Sequence, residues 1–362
     1  MPDRLAMQTA GPLRATIRPP GSKSITNRAL VCAAMARGSS VLRGALDSED
    51  TRVMIDSLQR LGLRVDHVPA SETIAVEGCG GSPPVDRAEL FVANSGTTMR
   101  FLTAMLAACR GHFRLDGIER MRQRPITDLL GALNELGGDV SSESRNGCPP
   151  VIVRGGGLRG GRARIRGNIS SQFLSGLLMA CPYAEQDVML EVEGELVSQP
   201  YVQMTLAVMS AFGIEVAHEG VSRFRIPAGK RYAGRRYDIE PDASAASYFW
   251  AAAAITGGSV RVPGLGRDSL QGDVAFCDCL EEMGCRVECD AQGISVTGGR
   301  LRGIDADMNA ISDTVPTLAA VALFAEGPTT IRGVAHIRYK ETDRLGDLAR
   351  ELRRLGAEVE ER

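Results

Sequence analysis

Leu61-Gly62-Leu63-Arg64-Val65 decides how this chain folds, because the same phrase returns four more times. It recurs as Leu136-Gly137-Gly138-Asp139-Val140, Phe212-Gly213-Ile214-Glu215-Val216, Met283-Gly284-Cys285-Arg286-Val287 and Leu355-Gly356-Ala357-Glu358-Val359. Successive Gly positions step by 75, 76, 71 and 72 residues, and each Gly is preceded four positions earlier by Leu58, Leu133, Met209, Leu280 or Leu352. An apolar helix face, a Gly at the helix C-terminus and a Val three residues on spell helix, cap and strand. The chain is one unit used repeatedly.

Roughly forty residues ahead of each Gly lies a second landmark: Ser22-Lys23-Ser24, Asn94-Ser95-Gly96-Thr97-Thr98-Met99-Arg100, Ser170-Ser171-Gln172, Asp242-Ala243-Ser244 and Ser312-Asp313-Thr314. Each runs directly into an Ala- and Leu-rich stretch such as Phe101–Ala108 or Pro316–Phe324, so each predicts a capped helix start. Helices apolar on all sides are buried ones. If equivalent buried helices lie parallel, their N-termini and positive dipole ends converge into an anion site before any cation is added.

A second helix start falls closer to each Gly, at Ser48-Glu49-Asp50-Thr51-Arg52, Arg122-Gln123-Arg124-Pro125-Ile126, Ser198-Gln199-Pro200-Tyr201, Ser269-Leu270-Gln271-Gly272-Asp273 and Lys340-Glu341-Thr342-Asp343-Arg344. Pro125 and Pro200 suit a first helical turn, where a missing N–H costs nothing. Short β-type runs, for example Val151–Arg154 and Val188–Val192, lie between the helices, giving a β-α-β-α-β-β unit in an α/β chain. That period is too long for an ordinary solenoid, so the units group into globular domains. Breaks are expected at Arg18-Pro19-Pro20-Gly21 and between Lys230 and Pro241.

A chain of 362 residues with 44% hydrophobic content can bury a large core, and its formal charge of -2 argues against nucleic-acid or membrane-surface partners held by bulk electrostatics. Any anion site must be local. Met1–Met7 has no apolar signal segment and no stretch approaches transmembrane length, which with nine unpatterned Cys predicts a cytoplasmic protein with reduced thiols. Cys277, Cys279, Cys285 and Cys289 span a helix and the strand after it, and the four His are isolated, so no metal and no cofactor are expected. Pro20-Gly21-Ser22-Lys23-Ser24 is not a Walker A loop: Ser, not Gly, precedes Lys23, and the earlier Gly of that motif is missing. Lys23 and Arg28 instead bring an ammonium and a planar fork to one helix start, both suited to phosphate or carboxylate.

Pro20–Arg28, Asn94–Arg100, Arg124-Pro125-Ile126, Ser170-Ser171-Gln172-Phe173 and Lys340-Glu341-Thr342-Asp343-Arg344, in that order, together resemble the 5-enolpyruvylshikimate-3-phosphate synthase family over essentially the whole chain. The resemblance implies a two-domain enolpyruvyl transferase fold of βαβαββ units with buried parallel helices. An inner domain would hold three units over residues 21–237. An outer domain would take residues 1–20 and 238–362, with its sixth unit incomplete. It implies transfer of the enolpyruvyl group of phosphoenolpyruvate to the 5-hydroxyl of shikimate 3-phosphate by a monomer. Ser24, Arg28, Ser170, Ser171, Ser198, Tyr201, His336 and Lys340 would hold shikimate 3-phosphate. Lys23, Gly96, Arg124, Gln172 and Arg344 would bind phosphoenolpyruvate, with Lys23 and Gln172 touching both substrates.

Two carboxylates at helix starts can supply the general acid and base. Asp313 is assigned as base at the shikimate hydroxyl and Glu341 as proton donor to carbon, with Lys23 stabilising developing charge. Arg100 is either a support for the site or an ion-pair partner; Asp50 and Arg52 read as structural. His336 stands where many relatives have Asn, and relatives are expected to continue beyond Arg362 with a further Arg and Lys for phosphoenolpyruvate. Two other functions remain open at this point: the sibling transferase acting on UDP-N-acetylglucosamine, and a fragment that binds shikimate 3-phosphate without turning it over.

Overall fold

A computed structural model describes residues 11–362. The Met1–Met7 stretch and the start of the expected outer domain lie outside the described residues. The five repeated glycines all adopt positive φ, from 83° at Gly62 to 111° at Gly284. In four repeats the residue after Gly sends its N–H back to the apolar residue singled out above: Leu63 to Leu58, Gly138 to Leu133, Ile214 to Met209 and Cys285 to Leu280. Gly62, Gly137, Gly213 and Gly284 bond to Gln59, Asn134, Ser210 and Glu281 in the same way. This paired pattern is the Schellman cap, and a residue with a Cβ would be strained at its left-handed position.

The chain divides into two compact units. The larger comprises Pro20–Glu240, Ala335–Arg353 and Val359–Arg362; the smaller comprises Pro241–Val334 and Arg354–Glu358 with the described chain up to Pro19. In the larger unit, α1 (Lys23–Met35) and α2 (Glu49–Arg60) belong to the first repeat, α3 (Gly96–Ala107) and α4 (Thr127–Glu135) to the second, α5 (Ser171–Ala180) and α6 (Gln199–Ala211) to the third. Each repeat owns a four-stranded sheet. In the second, Arg87–Phe91 pairs parallel with Arg110–Asp116, which pairs antiparallel with Val151–Gly156, itself antiparallel to Val140–Ser142. The third repeats this order, whereas the first borrows its outermost strand, Arg236–Asp238, from the end of the third.

α1, α3 and α5 are buried almost throughout. Their starts are capped as expected by Ser22, Ser95 and Ser170, whose side chains accept from Ile25, Thr98 and Gln172. They are also neighbours: the Asn27 side chain donates to Thr97 Oγ1 at 2.8 Å, and Arg100 donates to Gln172 Oε1 at 3.1 Å. Both contacts lie within the first two turns, and further along Gly176 of α5 packs against Arg100 and Ala104 of α3, so the three N-terminal ends are adjacent and α3 and α5 run the same way. Pro125 departs from expectation by preceding the Ile126 cap of α4, while Pro200 occupies the first turn of α6.

In the smaller unit, α7 (Ala243–Thr256), capped by Asp242, and α8 (Phe276–Glu282) pack on a sheet in which Arg14–Thr16 pairs parallel with Ser259–Pro263. Its last repeat contains α9 (Val315–Ala322) between Asp305–Asp307 and Thr330–Arg332. Two expectations change here. α7 is not buried on every side, since Tyr248 is more than half exposed, and the expected apolar helix through Phe324 ends at Ala322, leaving Phe324 exposed beyond it. Asp313 does not cap α9; it sits in a 3-10 turn, Ser312–Thr314, and Thr314 Oγ1 bonds Ile311 O instead.

The segment Ala335–Arg353, placed above in the outer domain with all of 238–362, belongs to the larger unit and carries most of α10 (Arg344–Arg354). The reason is local bonding. His336, Arg338, Lys340 and Glu341 all meet residues of the first three repeats. The fifth repeated phrase ends without the expected strand, and Val359 O accepts from the Arg353 guanidinium.

Candidate active site

The starts of α1 and α3 and the turn bearing Arg124 gather around Glu341 within the larger unit. Arg124, presented by the turn before α4, is 3% exposed and donates from Nη1 to Asn94 O at 2.7 Å. Its Nη2 lies 3.7 Å from Glu341 Oε1. Glu341 Oε2 accepts from Arg344 Nη2 at 2.5 Å, and its backbone carbonyl accepts from Asn94 Nδ2 at 3.3 Å. Burial alone would raise the Glu341 carboxyl, but Arg344 and then Arg124 outweigh it and bring its pKa down to about 2. Glu341 is therefore a carboxylate at neutral pH.

On the α1 side, Lys23 Nζ pairs with Asp50 Oδ2 at 2.9 Å, which gives Asp50 a place in the site that its position in the sequence did not show. Arg100, also 3% exposed, reaches Gln172 and lies 5.4 Å from the Phe173 ring centroid. Desolvation, and then the like charge of Arg124, push its pKa well below the ordinary guanidinium value. Four cations, Lys23, Arg100, Arg124 and Arg344, thus face two carboxylates, Asp50 and Glu341, an excess of two positive charges at converging helix N-termini. The buried Nε atoms of Arg100 and Arg124 have no protein partner among the described residues.

Gly96 opens α3 directly beneath these cations. A Cβ there would sit 2.3 Å from Arg100 Nη1 and 2.5 Å from Arg124 Nη2. Both guanidinium heads are packed in, so neither can swing aside cheaply. Gly96→Ala is expected to weaken the binding of a small phosphorylated anion at this helix start about tenfold, the cost of one disturbed charged contact. Calorimetric titration of the variant and the unmodified chain with such an anion checks this.

Around α6, Ser198 holds a left-handed backbone at φ 54° and its Oγ lies 3.2 Å from His336 Nε2. A non-Gly residue at such φ is a strained position of the kind found at ligand sites. Arg28 is 1% exposed and donates to Thr205 Oγ1, Ser24 O, Ser175 Oγ and Tyr201 O, so four of its five N–H groups are already spoken for. Burial lowers its pKa to about 10. Arg28 therefore ties Ser24 on α1 to Tyr201 on α6 and has one N–H left for a ligand.

Lys23, Ser24, Arg28, Gly96, Arg124, Ser170, Ser171, Gln172, Ser198, Tyr201, His336, Lys340, Glu341 and Arg344 all fall in the larger unit, and Asp313 falls in the smaller. Asn94 and Arg120 are the residues that sequence reasoning passed over. Asn94 lay within a quoted motif without a role, and nothing in the sequence distinguished Arg120 from the other arginines.

The model of the EPSP synthase (3-phosphoshikimate 1-carboxyvinyltransferase) family matches residues 7–362. The chain belongs to the EPSP synthase family. Among relatives of this family, the 3-phosphoshikimate 1-carboxyvinyltransferase of Nostoc punctiforme is 50% identical over 351 residues, covering 97% of this chain and 82% of the relative. That of Serratia proteamaculans is 47% identical over 366 residues, covering 100% of this chain and 85% of the relative. The EPSP synthase of Acinetobacter baumannii superposes with a TM-score of 0.78 at 26% identity, over 95% of this chain and 79% of that one. The enolpyruvyl transferase NikO of Streptomyces tendae shares the fold, with a TM-score of 0.67 at 20% identity over 89% of this chain and 75% of that one. Among the described residues, no helix is long and apolar enough to cross a membrane.

Proposed function

We propose that the chain transfers the enolpyruvyl group of phosphoenolpyruvate to the 5-hydroxyl of shikimate 3-phosphate and releases phosphate. The observation that carries this function is the cluster of Lys23, Arg100, Arg124 and Arg344 around one ionised carboxylate, Glu341, at three converging helix starts. Phosphoenolpyruvate would take Arg124, Arg344 and Lys23 with its phosphate and carboxylate, reach the Gly96 N-terminus and touch Gln172. Shikimate 3-phosphate would lie toward Ser24, Arg28, Ser170, Ser171, Ser198, Tyr201, His336 and Lys340.

In the addition step the 5-oxygen bonds to C2 of phosphoenolpyruvate, its proton leaves to a base, and C3 gains a proton to become a methyl group. In the elimination step the methyl group loses a proton and the C2–O bond to phosphate breaks. Asp313 is the proposed base and Glu341 the proposed donor to C3, exchanging roles between steps, with Lys23 stabilising charge on the departing phosphate. Arg344 and Arg124 keep the Glu341 carboxyl ionised, so protonation of Glu341 depends on substrate drawing those charges away. An anion engaging Arg124 and Arg344 withdraws the charges that keep Glu341 ionised and raises its proton affinity as substrate arrives. Cysteines that are all free and a near-neutral charge support a cytoplasmic protein acting on small molecules, and we read it as a monomer.

A phosphate-release assay tests the function. Release is expected only when both substrates are present, with a vinyl ether product seen by proton NMR. Turnover with UDP-N-acetylglucosamine as acceptor, or no turnover with either acceptor, would contradict it.

A further inference from the structure

Three side-chain N–H bonds reach the backbone carbonyls that flank the Glu341 carboxylate. Asn94 Nδ2 supplies one, to Glu341 O. Arg120 Nη2 supplies the other two, to Arg338 O at 3.1 Å and Lys340 O at 3.2 Å. Arg120 is itself braced, with Nη1 donating to Gln123 Oε1 at 3.4 Å and its backbone carbonyl accepting from Gln123 N at 3.0 Å. Its Nε is buried with no partner among the described residues, so the side chain is committed to this place without a carboxylate to repay it.

Arg120 opens the same 3-10 turn, Met121–Gln123, that closes on Arg124 through a bond from Arg124 N to Met121 O at 3.1 Å. One short turn thus carries two arginines with divided tasks. Arg124 meets the Glu341 carboxylate, and Arg120 holds the backbone immediately before it. The segment's other bonds are made elsewhere: Arg338 pairs with Asp343 and Glu361, and His336 meets Ser198. Among the described residues, Arg120 is the side chain that ties the Lys340 carbonyl to the turn bearing Arg124.

We propose that Arg120 is a positioning residue that sets the Lys340-Glu341 pair in register with Arg124, acting through the backbone and touching no substrate, an inference that rests on the proposed transferase function. The two N–H groups of the one planar nitrogen Nη2 reach carbonyls two residues apart, and an alanine supplies neither bond.

Arg120→Ala is expected to lower kcat by about tenfold to a hundredfold, as small misplacements of catalytic groups do, with less than about threefold change in the KM for phosphoenolpyruvate. Arg120→Lys, which keeps the charge and can reach a carbonyl, should recover most of the loss. In a Glu341→Gln background the Ala change should cost less than about twofold, because residues acting as one unit are not additive. Hydrogen exchange of the peptide spanning 336–343 should be faster in Arg120→Ala than in the unmodified chain. Independent, multiplying losses in kcat, or unchanged exchange in that peptide, would overturn the proposal. If the unmodified chain shows no turnover, the transferase function fails first, and the exchange measurement still decides whether Arg120 holds the segment.

Discussion

Glu341→Gln is expected to reduce kcat by about 10²–10⁴-fold, the range for loss of a positioned acid or base, while the KM for phosphoenolpyruvate stays level or falls. The amide keeps the shape of the side chain and removes its charge. Arg124 and Arg344, which share the carboxylate in the ligand-free chain, are then left to an incoming anion without an internal competitor. A general loss of folding would lower the active fraction and leave the KM unrelated to charge, so the opposed movement of the two constants is diagnostic. The same variant has a pH signature. The Glu341 carboxyl is depressed from 4.5 to about 2, so its ionised form stabilises the fold above pH 4.5, and that contribution is lost as pH falls toward 2. Melting temperatures followed downward through that window should fall more steeply for the unmodified chain than for Glu341→Gln.

Arg28→Ala is expected to destabilise the larger unit by about 3 kcal/mol, through lost charged hydrogen bonds and the cavity left behind. The guanidinium joins α1 to α5 through Ser175 and to α6 through Thr205 and the Tyr201 carbonyl, and it lies 5.2 Å from the Phe101 ring centroid. Removing it takes one donor each from Thr205 Oγ1, Ser175 Oγ, the Ser24 carbonyl and the Tyr201 carbonyl, leaving Thr205 Oγ1 to bond Ser175 Oγ and the Tyr201 carbonyl alone. Relief of a buried charge offsets part of the cost, since burial already lowers the Arg28 pKa to about 10. Arg28→Lys keeps the charge without the fork and should recover less than half of the stability. A melting temperature for Arg28→Ala within a degree or two of the unmodified chain would show that Arg28 is held for a ligand and not for the fold.

The repeat was legible in the sequence because one backbone requirement enforces it. A helix that ends in a Schellman cap needs a left-handed residue at one position and an apolar partner four residues earlier, and both leave a visible mark at Gly62, Gly137, Gly213 and Gly284. The helix starts at Ser22, Ser95, Ser170 and Asp242 were legible for the same kind of reason, a side-chain oxygen serving the next turn. The fifth start was not, because a 3-10 turn at Ser312–Thr314 uses Thr314 to bond backward, so Asp313 has no capping task there.

Placement of Ala335–Arg353 with the larger unit could not be read from the sequence at all. Contacts such as Arg120 with the Lys340 carbonyl join positions 220 residues apart and involve backbone acceptors that every residue possesses. The Lys23–Asp50 pair was illegible for a related reason: the two residues belong to different helices, and neither side chain has a local signal for the pair.

In the proposed function, the helix N-termini and cations of the larger unit grip two anionic acids side by side. A crystal structure of the chain with shikimate 3-phosphate and phosphoenolpyruvate bound tests it most directly. Phosphoenolpyruvate should lie against Lys23, Arg124, Arg344 and the Gly96 N–H, with the shikimate phosphate near Ser170, Ser198 and His336 and the Glu341 carboxylate drawn away from Arg344. Substrates bound elsewhere, with the Glu341–Arg344 pair undisturbed, would contradict it.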